Sequence, residues 1–275
     1  MGDSFIFCKN LVGSFVEKHL KGDFSALKKF DFTTLKGDKL FGCDGRAFDS
    51  DDTNLARAIY VLLWGDKFPD LSLSNIGTGK KYRGDTLNTF STVFGRYLPD
   101  RHTCKGLLNN GSPEEVRLVA EKFYSNSHTL GNLIVLPNIA ETNASRARTL
   151  NTYRGTVYKD YFDLFLIHLA DCLDNRSAAD RHLSALIEQN GFFFSRLNDN
   201  GGLAYLRDIC YLEDYFIGDK PAPVFSPHLR CPRKSECTQA EKTLYIKHMK
   251  NYAVAAEKII NNRADKMIAR LVALI

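Results

Sequence analysis

The chain has 275 residues, of which 44% are hydrophobic and 25% charged, and a formal net charge of +5. Those proportions are near the globular average and favour neither a disordered chain nor a membrane protein, and the length supports a core that needs no disulfide or metal. The basic residues are scattered rather than gathered in a block, so the charge admits a phosphate-bearing ligand without indicating a DNA-coating protein.

The longest apolar runs, "AIYVLLW" and "LIVL", fall short of the roughly 20 residues that span a bilayer. The opening "MGDSFIFCKNLVG" turns polar too early for a secretory leader, and a cytoplasmic protein with no membrane partner is expected. Seven cysteines stand at 8, 43, 104, 172, 210, 231 and 237 with no CxxC pair, which points to reduced thiols. No repeat, low-complexity tract or linker divides the chain, so a single domain over 1–275 is expected.

In chain order, Asp52 to Trp64 begins with capping chemistry and places Leu55, Ile59, Leu62 and Leu63 at helical spacing. Ser112-Pro113-Glu114-Glu115 supplies an N-cap, a proline at the first helical position and a glutamate at the third; Val116, Val119, Ala120 and Phe123 follow as its apolar stripe. Leu133 to Leu136 reads as a strand, and the Phe192 to Phe194 run is the other strand-like stretch. Thr156 to Leu173, Ala178 to Gln189 (closed by Asn190-Gly191) and Gly202 to Phe216 read as helices. A capping box at Thr238 to Glu241 opens a long periodic stretch, with a break expected near Asn261-Asn262. The fold class expected is mainly α, a single helical domain with a small irregular or β element near residues 128–137.

Three stretches share an unusual polar composition. They are "KKYRGDTLNTF" from Lys80, "SHTLGNL" from Ser127 and "LNTYRGTVYKDYFD" from Leu150. In the first, Asp85 is placed to cap a helix starting at Thr86, with Arg83 just before it; the third repeats the theme with Arg154 ahead of Thr156. Two arginines before two helix starts suggest a clamp for phosphate or carboxylate. The plainer account is a cap and a surface ion pair. Asp160 and Asp163, three apart on a helix, share a face that can hold a divalent cation or simply be solvated. His128, beside Gly131 and Asn132 at the entry to a strand, is the candidate general acid or base, and a hydrogen-bonded structural histidine is its alternative. His228, Cys231, Cys237 and His248 offer zinc-type ligands at a spacing that matches no common zinc module. There is no GxxxxGK[ST], GxSxG or HExxH.

The order "YRGDTLNTF", "HTLGNLIVLPN", "LNTYRGT", "DYFDLFL", over about residues 82–166, resembles an uncharacterised bacterial family with YRGDT, HT[IL]GN and KDYFD blocks. The resemblance groups Arg83, Asp85, Asn88, His128, Asn132, Asn151, Arg154, Asp160 and Asp163 as one polar set. More distantly, "HTLGNLIVLPNIAETNAS" looks like part of the HNH-type nuclease domain of modification-dependent restriction enzymes, onto which Asn132 and Asn143 map. The upstream Asp-His-[IV] of that domain has no counterpart here, since Asp100-Arg101-His102 carries an extra residue. This likeness implies metal-assisted hydrolysis of a phosphodiester.

The expectation is a phosphodiester- or nucleotide-directed hydrolase with a nucleotide or nucleic-acid partner and a divalent cation as cofactor. His128 and Asn132 would act in catalysis. Arg83, Asp85, Asn88, Asn151 and Arg154 would bind substrate, and Asp160 and Asp163 the metal. The alternative is a non-catalytic protein that recognises a nucleotide or protein partner through the same residues.

Overall fold

The computed structural model describes residues 3–43, 49–88, 114–139, 161–174, 181–225 and 239–275. Among the described residues there are eight α-helices and two small two-stranded sheets, so the fold is mainly α. The helices are α1 (Asp3–Leu20), α2 (Asn54–Trp64), α3 (Glu114–Ser127), α4 (Phe162–Asp174), α5 (Arg181–Gln189), α6 (Gly191–Asp199), α7 (Leu203–Cys210) and α8 (Gln239–Leu274). Strands β1 (Tyr82–Thr86) and β2 (Leu133–Pro137) pair antiparallel, with Gly84 opposite Val135. Strands β3 (Phe216–Ile217) and β4 (Lys220–Pro221) form the second pair.

The long helix α8 is the spine. Its buried stripe of Met249, Tyr252, Ala256, Ile259, Ile260, Ala264, Met267 and Leu271 packs against α2, α3 and the turns at 24–28 and 130–132. At 36 residues it runs about 54 Å at 1.5 Å per residue, and the expected break at Asn261-Asn262 does not occur. Both amides are engaged outside the helix: Asn261 Oδ1 accepts from Lys29 Nζ at 3.0 Å, and Asn262 Nδ2 donates to Asp214 at 3.0 Å. Neither therefore competes with the helix for its own backbone.

Other expectations shift for equally local reasons. Phe192 to Phe194 lie in α6 rather than in a strand, because Phe193, Phe194 and Leu197 form a helical stripe facing the core, with Phe193 edge-on to Phe68. The helix expected over Gly202 to Phe216 ends at Cys210, where Tyr211 takes a left-handed conformation at φ 57°. Helix α2 starts at Asn54, with Thr53 as N-cap accepting from the Ala56 N–H at 3.2 Å. Thr86 continues a strand and starts no helix, so Asp85 is not a helix cap. The run of β-formers from Leu133 supplies the partner that holds Tyr82 to Thr86 extended.

One hydrophobic cluster draws on residues from Cys8 in α1 to Leu271 in α8. No helix among the described residues is long and apolar enough to cross a membrane.

Candidate functional site

The polar centre of the molecule lies where a single 3₁₀ turn, Ser50–Asp52, meets β1 and the turn after α3. Gly84 permits this approach, because a Cβ there would stand 1.9 Å from the Asp51 carbonyl oxygen. Its N–H donates to Asp52 Oδ1 at 3.1 Å. Across the sheet, Gly131 is required for a similar reason: a Cβ would stand 1.9 Å from the Ile260 carbonyl of α8. The glycines of "YRGDT" and "HTLGN" therefore serve close backbone approach.

His128 sits at the end of α3, and its Nδ1 lies 2.7 Å from Ser50 Oγ. Its backbone carbonyl accepts from the Phe32 N–H, and its ring meets Tyr124 edge-on. Burial holds its proton affinity below the usual histidine value, against the opposing pull of Asp31 and Asp49. Ser50 is buried, as are the two aspartates that follow it. Burial drives the Asp51 carboxyl well above the usual carboxylate range, reinforced by its hydrogen bond to Asp49 and by the charges of Asp49, Asp85 and Asp52. Asp51 Oδ1 has no hydrogen-bond partner among the described residues. Asp52 is also raised by burial, a shift tempered by Arg57, the Gly84 N–H and Arg83.

Arg83 projects from β1 into this cluster, with Nη2 3.3 Å from Asp49 and Nε 3.7 Å from Asp52. It thus stands in a strand against the chain's own carboxylates, not ahead of a helix N-terminus. Asp85 is buried in the same strand and accepts from the Thr86 N–H at 2.9 Å.

Asn88 and Asn132, expected to touch substrate, bind each other inside the fold. Asn132 Oδ1 accepts from the Asn88 N–H at 2.9 Å and from its Nδ2 at 3.2 Å; Asn132 Nδ2 donates to the carbonyls of Asn88 at 2.9 Å and Ser127 at 2.6 Å. All four hydrogen-bonding positions of the Asn132 amide are filled, and Tyr215 Oη donates to Asn88 Oδ1 at 3.1 Å. The geometry makes this pair a joint between the end of α3, the start of β2 and the segment after β1.

Asp163 is likewise internal. Its Oδ2 accepts from the N–H groups of Val224 and Phe225, and its Oδ1 from that of Leu164. Burial raises its proton affinity against those donors. A solvent-facing cation pair with Asp160 does not suit a carboxylate enclosed in this way. Asn151, Arg154 and Asp160 lie outside the described residues, as do Asn143, His102, His228, Cys231 and Cys237. Among the described residues, no three His, Cys, Asp or Glu side chains are arranged to hold a metal ion.

Asp49, Ser50 and Asp51 are not among the expected site residues, and Asp52 is expected only at the start of a helix. Their signal was present in "FDSDDTNLAR", where three acids crowd a helix start that needs only one cap. What this cluster can do chemically is move protons: it joins a hydroxyl, an imidazole and a carboxyl pair within a partly buried setting. No protein family, curated protein or solved structure matches the chain.

Proposed function

We propose that the chain is a hydrolase acting on a phosphodiester or nucleotide, with His128 as its general base. One observation carries the reading, the 2.7 Å contact of Ser50 Oγ with His128 Nδ1 beside the half-buried Asp49 and the buried Asp51 carboxyls. The environments push proton affinities apart. Burial lowers that of His128, which favours a neutral imidazole at pH 7, and raises that of Asp51, which favours a protonated carboxyl. Opposed shifts of this kind suit a base and an acid working at one pH. The imidazole would take a proton from water or from the Ser50 hydroxyl. The carboxyl pair, reached through the partly exposed Asp49, would give one to the leaving oxygen.

Arg83 supports the phosphate class. Its contacts to Asp49 and Asp52, at 3.3 and 3.7 Å, are longer than the about 2.7–2.9 Å of a tight charge-assisted bond, so a phosphate oxygen that replaced one of them would gain a shorter bond. With Asp51 protonated, Asp49, Asp52 and Asp85 still outnumber the guanidiniums of Arg57 and Arg83, so a phosphate would enter together with a divalent cation. Mg²⁺ is commonly held by one or two carboxylates plus substrate phosphate, which requires no cage of three protein ligands. The HNH-type likeness implies the same reaction class.

The test is turnover of bis(4-nitrophenyl) phosphate and of short DNA and RNA strands with Mg²⁺ or Mn²⁺. Replacing His128 by Gln should lower the rate about 10²- to 10⁴-fold while the variant still unfolds cooperatively. Unchanged turnover in that variant removes His128 from the mechanism. The non-catalytic binding alternative draws support from Asn88 and Asn132, whose amides are committed to each other and to the fold. It requires saturable binding without turnover.

A further inference from the structure

The first turn of α1, the end of α2 with the connection after it, and the last turns of α8 line a half-open pocket of about 200 Å³. Its walls are largely apolar, formed by Phe5, Val61, Leu62, Leu71 and Leu274. A dry cavity of about 150 Å³ holds benzene, so the space suits an aromatic ring or a short acyl chain. Ile6, Phe7 and Val272, on the same two helices, are exposed hydrophobics.

The lining carries one cation and one anion with different commitments. Asp66 is already paired with Lys67 at 2.9 Å. Arg270, exposed in the lining, makes no hydrogen bond or ion pair with any described residue. Its place near the C-terminal end of α8 is favourable for any cation, yet that accounts for the charge and not for the apolar space beside it. A guanidinium next to an apolar cavity matches a ligand with a carboxylate head, which it can hold through two parallel N–H donors.

We propose that this cavity binds a small amphiphilic carboxylate, its tail against Phe5, Leu62 and Leu71 and its head on Arg270. The site is independent of the hydrolase reading, since it uses none of the residues around His128. The test titrates the full chain with sodium octanoate, followed by calorimetry and by the methyl resonances of Leu62, Leu71 and Leu274. The expected result is saturable binding with a Kd of about 1 mM or tighter, with shifts centred on those three leucines. Arg270→Gln should weaken binding about tenfold or more, Arg270→Lys should restore part of it, and n-octanol should bind more weakly than octanoate. The proposal is overturned if octanoate causes no saturable shift, or if Arg270→Gln binds it as the native chain does. It is also overturned if the shifts spread over the exposed Ile6, Phe7 and Val272 instead, as detergent-like adsorption would produce.

Discussion

His128 and Asp51 occupy environments that tilt their proton equilibria in opposite senses, and each sense fixes a pH dependence. The imidazole is held below its ordinary value of 6.5, so the unfolded chain binds the proton more readily than the folded one. Stability therefore falls as pH drops through about 6.5 toward the lower folded value. The Asp51 carboxyl is held above its ordinary 3.8, so the folded chain binds that proton more readily, and this contribution is lost as pH rises through the raised folded value. Asp51→Asn keeps a neutral group against Asp49 and removes the second limb. At pH 8 its Tm should exceed the native value, at about 2–4 °C per kcal/mol gained for a chain of this size, with hydrolysis reduced. Melting curves from pH 5 to pH 9 decide it. A lower Tm at pH 8 would mean that the Asp51 charge stabilises the fold rather than straining it.

At the level of elements, the site depends on two close approaches of backbone. The turn at 130–132 lies on α8 because position 131 has no side chain, and the Ser50–Asp52 turn lies on β1 because position 84 has none. A backbone oxygen cannot withdraw as a flexible side-chain tip can. Gly131→Ala should therefore cost about 3 kcal/mol, at the upper end for overpacked sites. Urea unfolding with an unchanged m-value is the check; a cost below about 0.5 kcal/mol, the level of an ordinary surface change, would mean that the turn shifts freely. The periodic stretches of α2 and α8 were legible in sequence because their stripes repeat at helical spacing. The strand role of Tyr82 to Thr86 was not, since its partner β2 lies 47 or more residues further along the chain.

Across the whole molecule, a buried cation joins the spine to the site. Arg263 of α8 is almost fully buried, donating from Nε to the Cys210 carbonyl at 2.8 Å and from Nη1 to the carbonyls of Gly131 and Leu133. Its guanidinium also lies 5.7 Å from the centre of the Trp64 ring. Through it α8, α7, the 130–132 turn and α2 meet at one side chain. Nη2 has no partner among the described residues, and burial lowers the proton affinity of the group. Arg263→Met would remove a buried charge but leave three carbonyls without their donor. The second effect dominates, because an unsatisfied buried carbonyl costs about 1–3 kcal/mol. A net loss of about 2–4 kcal/mol is expected in urea unfolding. Stability equal to or above the native value would show that the buried charge outweighs its hydrogen bonds.

Local periodicity and capping are enough to read the mainly helical class, the apolar stripes of α2 and α8 and the strand at Leu133. The sequence also marked His128 and Arg83 as residues worth following, since a histidine and an arginine beside glycines are poor core builders. What surrounds them is set by contacts between segments far apart in the chain. Asp49, Ser50, Asp51 and Asp52 read locally as a helix start, and they became the centre of a site when Gly84 allowed β1 to close over the turn. Asn132 and Asp163 read locally as polar and available, and they became interior joints when distant N–H groups and an amide filled their hydrogen-bonding positions. A side chain's composition fixes what it can bond to. Which partner reaches it first is a matter of packing between residues far apart in the chain.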